Sequence, residues 1–132
     1  VSRNNVADLC VYLEKAGLIS QLRTSTGGIQ GLGKVDKIYL DNPPLIYTLG
    51  HQNVEIGTVR ETFFFNQTRS LFPVTVSPIS DFLIDGKYTF EVGGKKKKQR
   101  QLQNIENGFV VKDDIETGYG NIIPLWMFGM LY

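Results

Sequence analysis

The segment DFLIDGKYTFEV, Asp81 to Val92, constrains the fold of this chain more than any other stretch. Two runs rich in aromatic and β-branched residues flank Asp85-Gly86, a dipeptide that tolerates positive φ and marks a tight hairpin turn. A two-residue turn would pair Ile84 with Lys87 and mix polar with apolar residues on both faces. A three-residue loop, Ile84-Asp85-Gly86, pairs Leu83 with Lys87 and sorts the two kinds. Phe82, Tyr88, Phe90 and Val92 then share one face, and Asp81, Leu83, Thr89 and Glu91 share the other. Burial of an apolar face fixes register, so the second pairing is expected. It makes Asp81 and Glu91 diagonal neighbours, roughly 7–8 Å apart at the backbone.

Helical spacing of Val6, Leu9, Cys10 and Leu13 predicts a first helix over Ser2–Ala16, capped by Ser2 and ended by Gly17. Strands are expected at Leu18–Leu22 and Lys37–Leu40, joined by the polar, glycine-rich TSTGGIQGLGKVD. Helix, strand, long loop, strand is the back half of a winged helix, and the chain reads as a piece of a longer protein. A new unit starts near Asp41, with Asn42 and Pro43 opening a short helix that ends at Gly50. A longer helix follows from Asn53 or Glu55 to Ser70. Ile56, Val59 and Phe63 form its stripe, while Phe64 and Phe65 reach other faces, the pattern of a mostly buried helix. Strands are expected at Val74–Ser77, Ser80–Ile84, Lys87–Val92 and Phe109–Lys112. Polar and apolar helices are expected at Lys97–Asn107 and Asn121–Tyr132.

With 132 residues, the chain can bury a core without disulfides. Its net charge of +1 excludes whole-molecule attraction to nucleic acid and leaves only a local patch. The single cysteine, Cys10, excludes an internal disulfide and points to a reducing, cytoplasmic compartment. No apolar run reaches about 18 residues, so no membrane segment is expected. There is no GxxxxGK[ST] phosphate loop; GGIQGLGK lies between two strands and reads as a wing.

Two carboxylates converging on a sheet face suit a hard cation such as Mg²⁺. Asp81 and Glu91 are the candidate metal ligands, and Glu61, on a buried helix where a lone carboxylate is costly, can join them. Such a group with a lysine beside it has the composition of a metal-dependent phosphodiesterase site. The plainer reading of spacing alone is that Asp81 and Glu91 are solvated strand ends, or paired with Lys95. Arg60 on the same helix reads as a structural ion-pair partner, and His51 as a surface residue.

The segments SRNNVADLCVYLEKAGLI, NPPLIYTLG, GTVRETFFFNQTR, DFLIDGKYTFEVGGKKKK and IIPLWMFGMLY, in this order, resemble the C-terminal region of a group of bacterial and archaeal AAA+ ATPases. The resemblance implies residues 1–41 as the end of a winged helix and residues 42–132 as an α/β (α+β) domain with a restriction-endonuclease-like core, a small mixed sheet flanked by helices. It implies ATP binding and hydrolysis in an N-terminal module that this chain lacks. Nuclease-like cores carry a helix acid, a strand Asp and then Asp/Glu-any-Lys. These positions fall on Glu61, Asp81 and Glu91, but the lysine position is Gly93. Lys95 or Lys96 would have to replace it, so a degenerate site is expected and an active Mg²⁺-dependent nuclease is the alternative.

Lys95, Lys96, Lys97 and Lys98, with Arg100, fall at the start of the expected polar helix, where cations oppose the macrodipole. Local stability does not explain them, whereas a DNA backbone does; the alternative is a solvated loop. A protein-interaction or oligomerisation role, through an exposed first helix, is the third reading.

Overall fold

The structure is a computed structural model and describes residues 2–25, 33–98 and 102–131. Its order is α1 (Arg3–Lys15), β1 (Ile19–Arg23), β2 (Val35–Leu40), α2 (Pro43–Gly50), α3 (Ile56–Arg69), β3 (Val74–Val76), β4 (Phe82–Ile84), β5 (Tyr88–Gly93), β6 (Gly108–Lys112), β7 (Ile122–Pro124) and a final 3₁₀ helix (Leu125–Met130). The class is mixed α+β. Strands β3-β4-β5-β6-β7 form one sheet, antiparallel as far as β5 and parallel from β5 to β7. Strands β1 and β2 form a separate antiparallel pair. No helix among the described residues is long and apolar enough to cross a membrane.

The β4–β5 hairpin keeps the expected faces but not the expected register. Phe82 pairs with Phe90, Leu83 with Thr89 and Ile84 with Tyr88. Asp85 and Gly86 both take positive φ, and the Lys87 N–H closes the turn on the Ile84 carbonyl at 3.1 Å. The turn therefore comes one residue later than predicted, and Lys87 belongs to the loop. Because the shift moves pairing by two residues, side-chain parity is unchanged. Phe82, Ile84, Phe90 and Val92 are buried in the core. Continuing the pairing by one residue sets Asp81 directly opposite Glu91, not diagonal to it.

Helix α3 lies on the apolar face, but through a different stripe from the one expected. Thr62, Phe64, Phe65 and Thr68 are its buried residues, and Ile56 is 46% exposed. Phe64 decides this orientation. Its ring lies 5.0 Å from Phe82, 5.3 Å from Phe90 and 4.8 Å from Phe128, centroid to centroid. These are favourable separations for tilted and edge-on aromatic pairs. Of the expected stripe, Ile56 is left at the surface and Val59 is half-buried, while Phe63 packs partly buried against the edge of the core.

Two expected helices are not found over the described residues. Residues 102–107 form turns, with Ile105 N–H on the Leu102 carbonyl and Gly108 N–H on the Ile105 carbonyl. Leu102 is the one deeply buried residue among residues 102–107, packing with Val110 and Ile122. One anchor does not supply the apolar stripe that stabilises a short helix. The Asn121–Tyr132 helix is replaced by β7 and the 3₁₀ helix. Ile122 and Ile123 pair in parallel with Val110 and Val111, and β-branched residues suit that ladder. Pro124, lacking an N–H, ends the strand.

The β1–β2 hairpin is not packed apart from the rest. Leu22 and Tyr39 lie in the same core as α3 and β4, with Tyr39 5.5 Å from Phe65 and 6.1 Å from Phe82. Asp41 fastens the joint, accepting from Arg69 at 2.6 Å and from Ser20 at 3.3 Å. Helix α1 stands outside that core. Ser2 caps it as expected, yet it has no buried residue, and Leu9 is 55% exposed. Most of the glycine-rich wing, residues 26–32, lies outside the described residues.

This division makes a paired prediction. Phe64→Ala should cost about 3–5 kcal/mol by chemical denaturation, the usual loss for a buried phenylalanine. Leu9→Lys should change stability by less than about 0.5 kcal/mol. It should also reduce any concentration-dependent association seen by light scattering, because it interrupts the exposed apolar face.

Candidate functional site

The polar ends of the hairpin meet one turn of the following loop. Glu91 is 7% exposed and sits on β5 in the row that continues to Val110 and Ile122. A carboxylate there needs partners, and it has two. Ser80 Oγ donates to Oε2, and Lys97 Nζ lies 2.6 Å from Oε1. Asp81, just before β4, accepts the Val92 N–H on Oδ2 at 2.8 Å. Glu61 comes from α3 and accepts the Tyr39 hydroxyl at 2.7 Å, with Lys37 Nζ at 3.5 Å.

Electrostatics link these groups into one site. Burial holds Asp81 above the usual carboxylate range; the Val92 N–H and Lys97 oppose this, while Glu61 and Glu91 reinforce it. Lys97 is raised above an ordinary lysine, first by its hydrogen bond to Glu91 and also by the charges of Glu91, Asp81 and Glu61, against the cost of burial. Burial, and then Glu61, push the Tyr39 phenol up. Asp81 and Glu91 thus face each other across the hairpin with Lys97 on Glu91, while Glu61 adds its charge to Asp81 and Lys97 and takes Lys37 as its own ion-pair partner.

The lysine is not the one expected. Lys95 is exposed, as are Lys96 and Lys98, while Lys97 turns back. A turn closed by Lys97 N–H on the Gly94 carbonyl at 2.9 Å reverses the chain beyond β5. A Cβ on Gly93 would lie 2.6 Å from Lys97 Cδ and 2.8 Å from its Cγ. The stem of Lys97 thus fills the space that a side chain at position 93 would take. The two glycines after Glu91 were the available signal: one makes room and the other opens the turn. Arg100 lies outside the described residues. Among the described residues no helix opens at the lysines to oppose them, since residues 94–98 are turn and loop.

Among the described residues, no group of three or more His, Cys, Asp or Glu is arranged to hold a metal ion. The reason is visible at Glu91, whose two oxygens are engaged by Ser80 and Lys97. The donor set as arranged does not fit Mg²⁺, because an ammonium occupies the cation position. Arg60 is structural, as expected, pairing with Asp113 at 2.9 Å and Asp114 at 3.3 Å. Sequence reasoning missed Ser80, Tyr39 and Lys37, which reach the acids from other strands or from the strand entry.

The raised Asp81 carboxyl makes ionised Asp81 a cost to folding, with a definite sign. Above its folded pKa the cost is present in full; below about 3.9, the unfolded value, it vanishes. Asp81→Asn, which retains an acceptor for the Val92 N–H, should therefore raise the melting temperature at pH 7. The gain should shrink as pH falls through the raised pKa, and be gone below about pH 4. A destabilised Asn variant at pH 7 in scanning calorimetry would contradict this electrostatic account. Compared with family models, with curated proteins and with solved structures, the chain has no match in any of the three.

Proposed function

We propose that this chain is a nucleic-acid-binding accessory domain of an AAA+ ATPase, carrying a nuclease-like site that is closed by its own lysine. The observation that carries this reading is Lys97 Nζ at 2.6 Å from Glu91 Oε1, amid the charges of Asp81 and Glu61. The neighbouring Lys95, Lys96 and Lys98 remain exposed and point the loop's positive charge to solvent. A local cluster of exposed cations attracts a polyanion. The ATPase connection rests on the resemblance of the five sequence segments, and it makes the ATP-hydrolysing module the second partner.

A second reading is favoured by one specific feature. The stem of Lys97 runs through the space over Gly93, the position where nuclease-like cores place their lysine. If Lys97 swings away from Glu91, the two strand acids are released together with a lysine beside them. The domain would then cleave nucleic acid with Mg²⁺ or Mn²⁺, and Asp81→Ala would abolish cleavage. Incubating plasmid and single-stranded substrates with each cation separates the two readings, since the closed site gives no cleavage.

For binding, the triple variant Lys95→Ala, Lys96→Ala, Lys98→Ala should weaken affinity. It should also flatten the salt dependence by about 0.7–0.9 unit for each phosphate that is no longer neutralised. The effect should be the same for unrelated sequences, because lysines on phosphates carry no base information. Lys97→Met should change the salt slope little, since Glu91 already neutralises that lysine. Fluorescence anisotropy at several salt concentrations checks both, and an unchanged triple variant would return the lysines to a solvated loop.

A further inference from the structure

Beside the lysine turn lies an open cleft of about 240 Å³ that the acid–lysine site does not use. Its lining includes Phe63, Leu125 and Trp126, with Arg60 and Asp113 at one side. Trp126 is 54% exposed, although its Nε1 donates to the Glu116 carbonyl at 3.3 Å and so is held in place. Phe63 packs over Gly129 of the 3₁₀ helix, where an added Cβ would lie 3.3 Å from the ring. Arg60 joins the cleft to the lysines. Its Nε is held by Asp113, while its Nη1 lies 3.0 Å from where a Cβ on Gly94 would be. Gly94 opens the turn that carries Lys95 and Lys96.

We propose that this cleft receives one unpaired nucleobase, so that the domain binds single-stranded nucleic acid. This inference rests on the nucleic-acid reading above and narrows its substrate. The cleft is smaller than the roughly 300–1,000 Å³ typical of cofactor and drug-sized sites, and suits a single ring system. Its aromatic walls are the surfaces on which bases stack, and stacking is tolerant of sequence. The charges around it fix the direction of the strand. Asp113 and Asp114 are paired with Arg60 at the cleft and offer phosphate no cation, whereas Lys95, Lys96 and Lys98 follow Gly94, are exposed and attract it. A base in the cleft therefore sends its backbone across the lysine turn. A base paired in a duplex is not available for stacking there, because it is stacked and hydrogen-bonded within the helix.

Trp126 is the only tryptophan in the chain, so its fluorescence reports this site alone. The test uses the whole chain with three probes: a single strand of about 12 nucleotides, the duplex of the same sequence, and an abasic strand with the same number of phosphates. That length falls within the usual site size of single-strand binders. The single strand should quench Trp126 and bind about 5- to 150-fold more tightly than the abasic strand, the range for one stacked base. The abasic strand and the duplex should bind through the lysines without quenching. Trp126→Ala should lower single-strand affinity to the abasic level. Equal affinity for intact and abasic strands with no quenching would overturn the base cleft and leave the nucleic-acid reading standing. Equal quenching by the duplex would overturn the preference for single strands. No binding of any of the three probes would overturn the nucleic-acid reading itself, and this inference with it.

Discussion

Phe64 against Phe82, Phe90 and Phe128 is the packing on which the rest of the molecule depends. It joins α3, both strands of the β4–β5 hairpin and the final 3₁₀ helix through one fully buried ring. The β1–β2 hairpin is drawn to the same cluster through Tyr39 and Leu22. With Phe82 and Phe90 committed to this face, alternation along β5 commits Glu91 to the other. Glu91 is polar, nearly inaccessible and next to Val110, so the local structure must supply its partners. The aromatic core thus creates the electrostatic requirement that the lysine loop satisfies.

That requirement also accounts for the shape of the loop after β5. Gly93 and Gly94 let the chain turn at once, and Lys97 returns to Glu91 while its neighbours face outward. A buried ion pair is weak evidence for stability, since desolvation consumes much of the attraction. The Glu91–Lys97 pair is therefore better understood as meeting the needs of a buried carboxylate than as a large source of stability. The raised carboxyl of Asp81 has a related cause, burial of a charge beside Glu61 and Glu91.

Two regions with different chemistry flank the same turn. On one side Glu91 holds Lys97, and on the other Arg60 leads to an aromatic cleft containing Trp126. Exposed lysines lie between them. A polyanion following those lysines would pass both regions.

The sequence by itself determined what depends on spacing along one segment. Asp85-Gly86 set the hairpin, and period-two alternation put Asp81 and Glu91 on the face opposite Phe82 and Phe90. Ser2 and Asn42 set their helix starts, each accepting the N–H of the residue three positions on. The class, α+β with a small mixed sheet, was expected from the resemblance of the five segments rather than from spacing, and the structure has it. What spans distant segments was decided only by tertiary structure. Register slipped by two residues without changing faces, because parity is blind to an even shift. The stretch 122–130 became strand and then 3₁₀ helix because β6 offered an unpaired edge, which periodicity cannot reveal. Phe64 displaced the expected stripe of α3 because its three ring partners come from elsewhere in the chain. Lys97 was chosen over Lys95 because four adjacent lysines are equivalent in sequence, and only the Gly94 turn brings one of them back to a buried carboxylate.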